Sequence, residues 1–119
     1  MSRASTNEMN SSSQAGLESF GRFSDPAFLV LTSLSGGEKH GYALAKDIED
    51  FSSTRLGPGT LYGVLARLEQ RGLIEALPAD DRRHPYRITG RGAEVLGAYA
   101  SRLQHVAAVS NARLKLLGA

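Results

Sequence analysis

The densest chemistry in this chain is the run Arg82-Arg83-His84-Pro85-Tyr86-Arg87, three arginines and a histidine within six residues. A guanidinium is a planar fork of donors shaped for carboxylate or phosphate oxygens. Such a run is therefore either an anion-binding edge or a solvated basic face. Further cations, Arg91, Arg102, Arg113 and Lys115, occupy the last part of the chain against Glu94. No catalytic constellation accompanies them: there is no G-x-S-x-G, no glycine-rich phosphate loop and no H-E-x-x-H. The three histidines, His40, His84 and His105, are far apart and none has a ligand partner at helical spacing, so no metal is expected. Asp80-Asp81 fits turn chemistry better than an acid–base pair. With no cysteine, disulfides, thiolate metal sites and thiol nucleophiles are excluded. The pattern is that of a binding protein without a cofactor, not of an enzyme.

Composition sets the scale. At 119 residues and 41% hydrophobic content the chain suits one domain with a modest core, which gains from a partner subunit. A formal net charge of +2 is compatible with a nucleic-acid partner but does not by itself require one. The opening residues, MSRASTNEMNSSSQ, lack the apolar core of a signal peptide, and the stretch Ala27 to Leu31 is far too short to span a bilayer. A cytoplasmic protein with no membrane partner is expected.

The elements that must position these residues follow from periodicity and punctuation. Residues 1–23, rich in Ser and Asn, read as a flexible N-terminal arm whose end carries Leu17, Phe20 and Phe23 three apart and could dock as a helical turn. Asp25 is a good N-cap and Pro26 suits the first helical position. The helix they open carries Phe28, Leu29, Val30, Leu31 and Leu34, and Ser35-Gly36-Gly37 stops it. A second helix over about 39–51 has Leu44, Ile48 and Phe51 as its apolar stripe. After the break SSTRLG, a third helix over about 58–71 carries Leu61, Val64, Leu65 and Leu68, with Gly72 at C′. Residues 73–77 and 86–88 then alternate like a β-hairpin, with Tyr86 inward and Arg87 outward. From Thr89 to about Leu117 the pattern is again helical. The fold class expected is mainly α with a small β-hairpin: a winged helix-turn-helix domain over 24–88, followed by a long C-terminal dimerisation helix over 89–119.

Two short amphipathic helices joined by a glycine-containing turn form a helix-turn-helix, whose second helix enters the DNA major groove. The ordinary alternative is a small α+β core. The motifs here are His40-Gly41-Tyr42, Pro58-Gly59-Thr60-Leu61-Tyr62, Arg67-Leu68-Glu69 with Gly72-Leu73-Ile74, and Tyr86-Arg87-Ile88-Thr89. Spaced in this order over roughly residues 27–103, they resemble the PadR family of bacterial transcriptional regulators, in its shorter subgroup with a single C-terminal helix. The resemblance implies a dimeric winged-helix regulator, often a repressor, on a palindromic operator, with release by an effector. The chain departs from the family in having Gly57 where serine often precedes PGTLY, Gly63 where proline is common, and no tryptophan.

Opposite the apolar stripe of the third helix lie Gly59, Gly63, Ala66 and Gln70, with Thr60, Tyr62 and Arg67 on the flanks. So bare a face either approaches a groove or packs against another helix. Of the flanking residues only Arg67 can make the bidentate contact to guanine, while the hydroxyls suit phosphates. Candidate DNA contacts are Tyr42, Lys46, Arg55, Thr60, Tyr62, Arg67, Arg82, Arg83 and Arg87. Tyr42 has packing over the third helix as its alternative, His40 is expected as a cap or core residue, and Lys39 is a further phosphate candidate.

In the last helix Leu96, Tyr99, Leu103, Val106, Ser110, Arg113 and Leu117 follow heptad spacing. About 28 residues make a helix of about 40 Å, more than one small domain covers. A homodimer interface is expected through Leu96, Tyr99, Leu103, Val106 and Leu117, with part of the face on the first helix through Phe28 or Leu31. Phe20, Phe28 and Tyr99 could line a site for a small apolar effector. The alternative function is a winged-helix protein-interaction module that does not bind DNA specifically.

Overall fold

The computed structural model describes residues 25–79 and 84–118. The arm expected over residues 1–23 lies outside the described residues, as do Arg82 and Arg83. Six elements follow one another: α1 (Pro26–Ser35), α2 (Gly41–Ser52), α3 (Pro58–Gln70), β1 (Ile74–Ala76), β2 (Tyr86–Ile88) and α4 (Gly90–Leu116). The order helix, helix, helix, hairpin, long helix is the one the periodicity predicts. No helix among the described residues is long and apolar enough to cross a membrane.

α1 begins where the Asp25 carboxylate accepts the Ala27 amide at 2.9 Å, with Pro26 in the first turn. Its Leu29, Val30, Leu31 and Leu34 are buried among Leu44 and Ile48 of α2 and Leu61, Val64, Leu65 and Leu68 of α3. Each such side chain removed from water contributes about 1.5–3 kcal/mol. Phe51, expected in the α2 stripe, is instead 46% exposed, because it sits in the last turn beyond the core. The α2–α3 turn contains the expected glycine, Gly57, at the start of α3. The left-handed residue closing α2 is Ser53 (φ 59°), not a glycine, and its amide returns to Glu49 at 2.9 Å.

The hairpin pairs antiparallel in the register Ile74 with Ile88, Glu75 with Arg87, and Ala76 with Tyr86. Tyr86 is half-buried and Arg87 exposed, the alternation the sequence predicts. A third segment joins them. Lys39 exchanges both backbone hydrogen bonds with Tyr86, at 3.2 and 2.9 Å, so the loop before α2 acts as a one-residue strand. The Lys39 ammonium donates to the carbonyls of Ser33 (2.6 Å) and Gly37 (3.2 Å) and stands 3.9 Å from Asp47. Asp47 in turn accepts the hydroxyl of the buried Ser33 at 2.6 Å. Lys39 thus ties the end of α1 to α2 and is not a spare cation for phosphate, which corrects that expectation.

The junction between α3 and α4 is closely packed. α3 ends in a Schellman motif: Gly72 takes φ 73°, its amide donates to Glu69 (3.0 Å), and the Leu73 amide donates to Leu68 (3.0 Å). Thr89, the N-cap of α4, donates its hydroxyl to the Gly72 carbonyl at 2.7 Å and its amide to Leu73 at 3.1 Å, and accepts the Gly92 amide at 3.0 Å. Gly92 lies directly against the Leu73 carbonyl. A Cβ there would meet that oxygen and come within 2.8 Å of Ile88 Cγ1 and 3.0 Å of the Leu73 carbonyl carbon.

Gly92→Ala therefore forces backbone apart and is expected to cost about 2–4 kcal/mol, lowering the thermal midpoint by roughly 10 °C or more. Gly97→Ala, in the same helix with open space around it, should instead stabilise by about 0.5–1 kcal/mol. Calorimetry of the two variants checks the contrast. The Tyr86 phenol is held above its usual pKa, first by burial and then by Glu69 and Tyr62. The folded state holds that proton more tightly than the unfolded chain. Its contribution is complete below the ordinary tyrosine pKa and is lost as pH rises through the raised one. Urea unfolding of Tyr86→Phe should accordingly show a weaker loss of stability above about pH 10 than the parent.

Candidate nucleic-acid interface

α3 presents its core stripe inward, so the opposite face is necessarily outward. Gly59, Gly63, Ala66 and Gln70 are exposed along it, and nothing lies within 4 Å of where a Cβ at Gly59 or Gly63 would stand. The face is therefore open and not packed against another helix, which removes that alternative among the described residues. The N-cap Gly57 supplies no side-chain bond, as its sequence implies, and its carbonyl accepts the Leu61 amide at 2.9 Å. Thr60, in the first turn, is exposed.

Arg67 is exposed on the α1 side of this face. It lines, with Arg71 and Asp25, a cleft of about 160 Å³ beside the first turn of α1. It forms no ion pair among the described residues. Tyr62 flanks the other side, 53% exposed, and its hydroxyl rests on Gly41 at the start of α2. A Cβ at Gly41 would stand against that hydroxyl and 3.1 Å from Tyr62 Cζ. The glycine of one motif is thus the seat for the tyrosine of the other, a pairing sequence reasoning did not find. Tyr42, next in α2, is 80% exposed and does not pack over α3, contrary to its alternative. His40 occupies the N-cap position of α2, as one of its expected alternatives has it, but makes no side-chain cap bond and is exposed, not a core residue.

The other candidate cations among the described residues are engaged at the surface. Lys46 stands 3.9 Å from Asp50, Arg55 bonds Glu49 at 3.0 Å, and Arg87 pairs with Glu75 across the hairpin. Each pair is largely exposed, and exposed pairs contribute about 0–1 kcal/mol, so a phosphate could displace the carboxylate at little cost. The cross-strand acid beside Arg87 is legible in the sequence only once the register is known. At the other end of the wing His84 Nδ1 lies 3.1 Å from the Leu77 carbonyl.

The long helix divides its apolar face. Leu96 is half-buried on the domain core, and Tyr99 meets Phe28 edge to face with ring centroids 4.7 Å apart. Leu103, Val106 and Leu117 are exposed, at 43%, 60% and 81%, and Leu114 and Leu116 join them. Phe28 and Tyr99, two of the residues expected near an effector, thus touch each other, while Phe20 lies outside the described residues.

Comparison with known proteins agrees with this geometry. Residues 30–98, more than half of the chain, match the model of the transcriptional regulator PadR-like family. A protein of transposon TN4556 from Streptomyces fradiae is 47% identical over 75 residues, covering 63% of this chain but only 22% of that relative's length. Among solved structures, a PadR family transcription regulator from Clostridium difficile superposes with a TM-score of 0.68 at 26% identity, covering 75% of this chain and 97% of that one. A PadR-like transcriptional regulator from Bacillus cereus gives 0.66 at 26% identity, with 74% and 89% covered. By the family match over more than half of its length, the chain belongs to the PadR-like family of transcriptional regulators.

Proposed function

We propose that this chain is a sequence-specific DNA-binding regulator that acts as a homodimer, with α3 in the major groove and the hairpin as a wing on the adjoining backbone. The observation that carries this reading is the open face of α3. Two glycines with empty space above them let the helix backbone approach base pairs closely, and Arg67 and Thr60 stand at its margin. Arg67 is the base-reading residue of this proposal, through guanine O6 and N7. Tyr42, Lys46 and Arg55 on α2, with Arg82, Arg83 and Arg87 on the wing, take phosphates. Tyr62, seated on Gly41, fixes the α2–α3 angle first and contacts the backbone only at its rim.

The exposed half of the α4 face supports the second part of the proposal. Leu103, Val106 and Leu117 in an isolated chain would be an uncovered apolar strip, and the same strip on a second copy covers it by twofold symmetry. Two recognition helices related in this way read inverted half-sites about one helical turn, roughly 34 Å, apart. Occupancy of such a palindrome within a promoter makes the protein a repressor.

The first test is binding to a fragment from the protein's own promoter region against an unrelated fragment, at low and moderate salt. Tight binding that prefers the promoter and weakens steeply with salt is expected. Equal, weak binding to both would defeat the proposal in favour of a protein-interaction module. Arg67→Ala should cost about 1–3 kcal/mol on the promoter and little on the unrelated fragment. Gly63→Leu, which adds helix propensity but fills the open face, should raise stability while abolishing specific binding. In sedimentation, the double change Leu103→Glu with Val106→Glu should give a folded monomer of unchanged helicity. A dimer that survives it would place the interface elsewhere.

A further inference from the structure

Strand β2 anchors the hairpin, and it has a neighbour on each side. β1 pairs along one edge, and the Lys39 backbone takes the other through its two hydrogen bonds to Tyr86. That outer neighbour is itself fixed, because the Lys39 ammonium is bonded to the carbonyls of Ser33 and Gly37 at the end of α1. Two residues on, α2 starts at the buried Gly41, and the Tyr62 hydroxyl of α3 rests against it. From α3 outward the order is Tyr62, Gly41, Lys39 and then β2. Tyr86 makes a second link across the same gap. Its phenol is held above the usual tyrosine pKa by burial first and then by Glu69 and Tyr62, so it stands within electrostatic reach of that flank of α3.

The separation of hairpin and α3 on this side is therefore set by hard contacts, not by a loop. A Cβ at Gly41 would press on the Tyr62 hydroxyl and stand 3.1 Å from Cζ and 3.5 Å from Cε1. Either the ring or the segment 39–41 must then move, and the segment takes β2 with it through Lys39. Two tethered elements that grip one half-site gain the second contact only when their spacing lets both engage at once. A small displacement here thus costs the wing its phosphates while α3 keeps its groove.

We infer that Gly41 is a positioning residue for operator binding: acting through Tyr62 and Lys39, it sets the distance between the wing and α3. The inference rests on the reading of α3 and the hairpin as the DNA-contacting pair, and it assigns Gly41 no contact with DNA.

Gly41→Ala alters no charge, and alanine favours a helix over glycine, so the variant should stay folded with unchanged helicity. On the promoter fragment its affinity should fall several-fold, and the slope of log affinity against log salt should be shallower by about 1, the loss of one phosphate contact. Arg87→Gln should produce the same loss in the parent and add nothing to Gly41→Ala. Tyr62→Phe, added to Gly41→Ala, removes the crowding hydroxyl and should restore the slope; a neutral hydroxyl releases no counterion of its own. A residue that only supports folding would lower the thermal midpoint and leave the slope alone. Should Gly41→Ala fail to fold, Tyr62→Trp enlarges the spacer from its exposed side and should flatten the slope in its place. A parental slope and promoter preference in the folded variant overturns the inference while the proposed function stands. So does a flattened slope that Tyr62→Phe does not restore, or a further loss on adding Arg87→Gln. If the parent itself binds both fragments equally and weakly, the proposed function fails and the inference falls with it.

Discussion

The rest of the structure hangs on the contact between Gly92 and the Leu73 carbonyl. Leu73 is the residue at which α3 has just ended, through the left-handed Gly72, and at which the hairpin begins. Gly92 is in the first turn of α4, and only hydrogen in place of a Cβ lets the two backbones meet there. Thr89 closes the knot by bonding Gly72, Leu73 and Gly92 together. The end of the helix with the open face and the start of the helix with the exposed apolar strip are therefore one hydrogen-bonded unit. The two helices are joined there by backbone contact and not by a flexible linker.

Much of this architecture is legible in the sequence because the signals are local. Asp25-Pro26 caps a helix wherever it stands before an apolar run, and Gly72 ends one because its φ of 73° suits glycine. The α3 stripe and the alternation of Tyr86 with Arg87 follow from period alone. What escaped the sequence is pairwise and non-local. Lys39 looks like any surface cation until the hairpin folds over it and its backbone bonds Tyr86. Nothing in the spacing of Gly41 and Tyr62 says that the hydroxyl of one rests on the other. Ser53 in the left-handed region is a third case, since propensity would put glycine or asparagine there. The bare face of α3 was likewise legible, whereas the carboxylate partners of the cations were not.

Those partners matter to how a weakly charged protein could grip a polyanion. Lys46, Arg55 and Arg87 each face an acid across an exposed gap, so in the unbound chain their fields are largely cancelled beyond about 10 Å. Long-range attraction would then be modest, in line with a net charge of only +2. Close in, the balance reverses. A phosphate meeting Arg87 competes with Glu75 for the same guanidinium and leaves the carboxylate facing water, which costs little at half exposure. Such a surface discriminates by fit at contact more than by attraction at a distance. A bare recognition helix asks for the same thing, because reading shape and close approach needs few side chains.

The division of α4 follows from its length. Its 27 residues run well past a domain whose other two dimensions are 26 and 24 Å, and only the stretch from Gly92 to Tyr99 finds core to pack against. Beyond Tyr99 the same helical stripe continues with Leu103, Val106 and Leu117, so one apolar face packs on the chain's own core first and is exposed afterwards. Tyr99 stands at the border, its ring edge-on to Phe28 and still partly open. A side chain at that border is touched by whatever packs on either half.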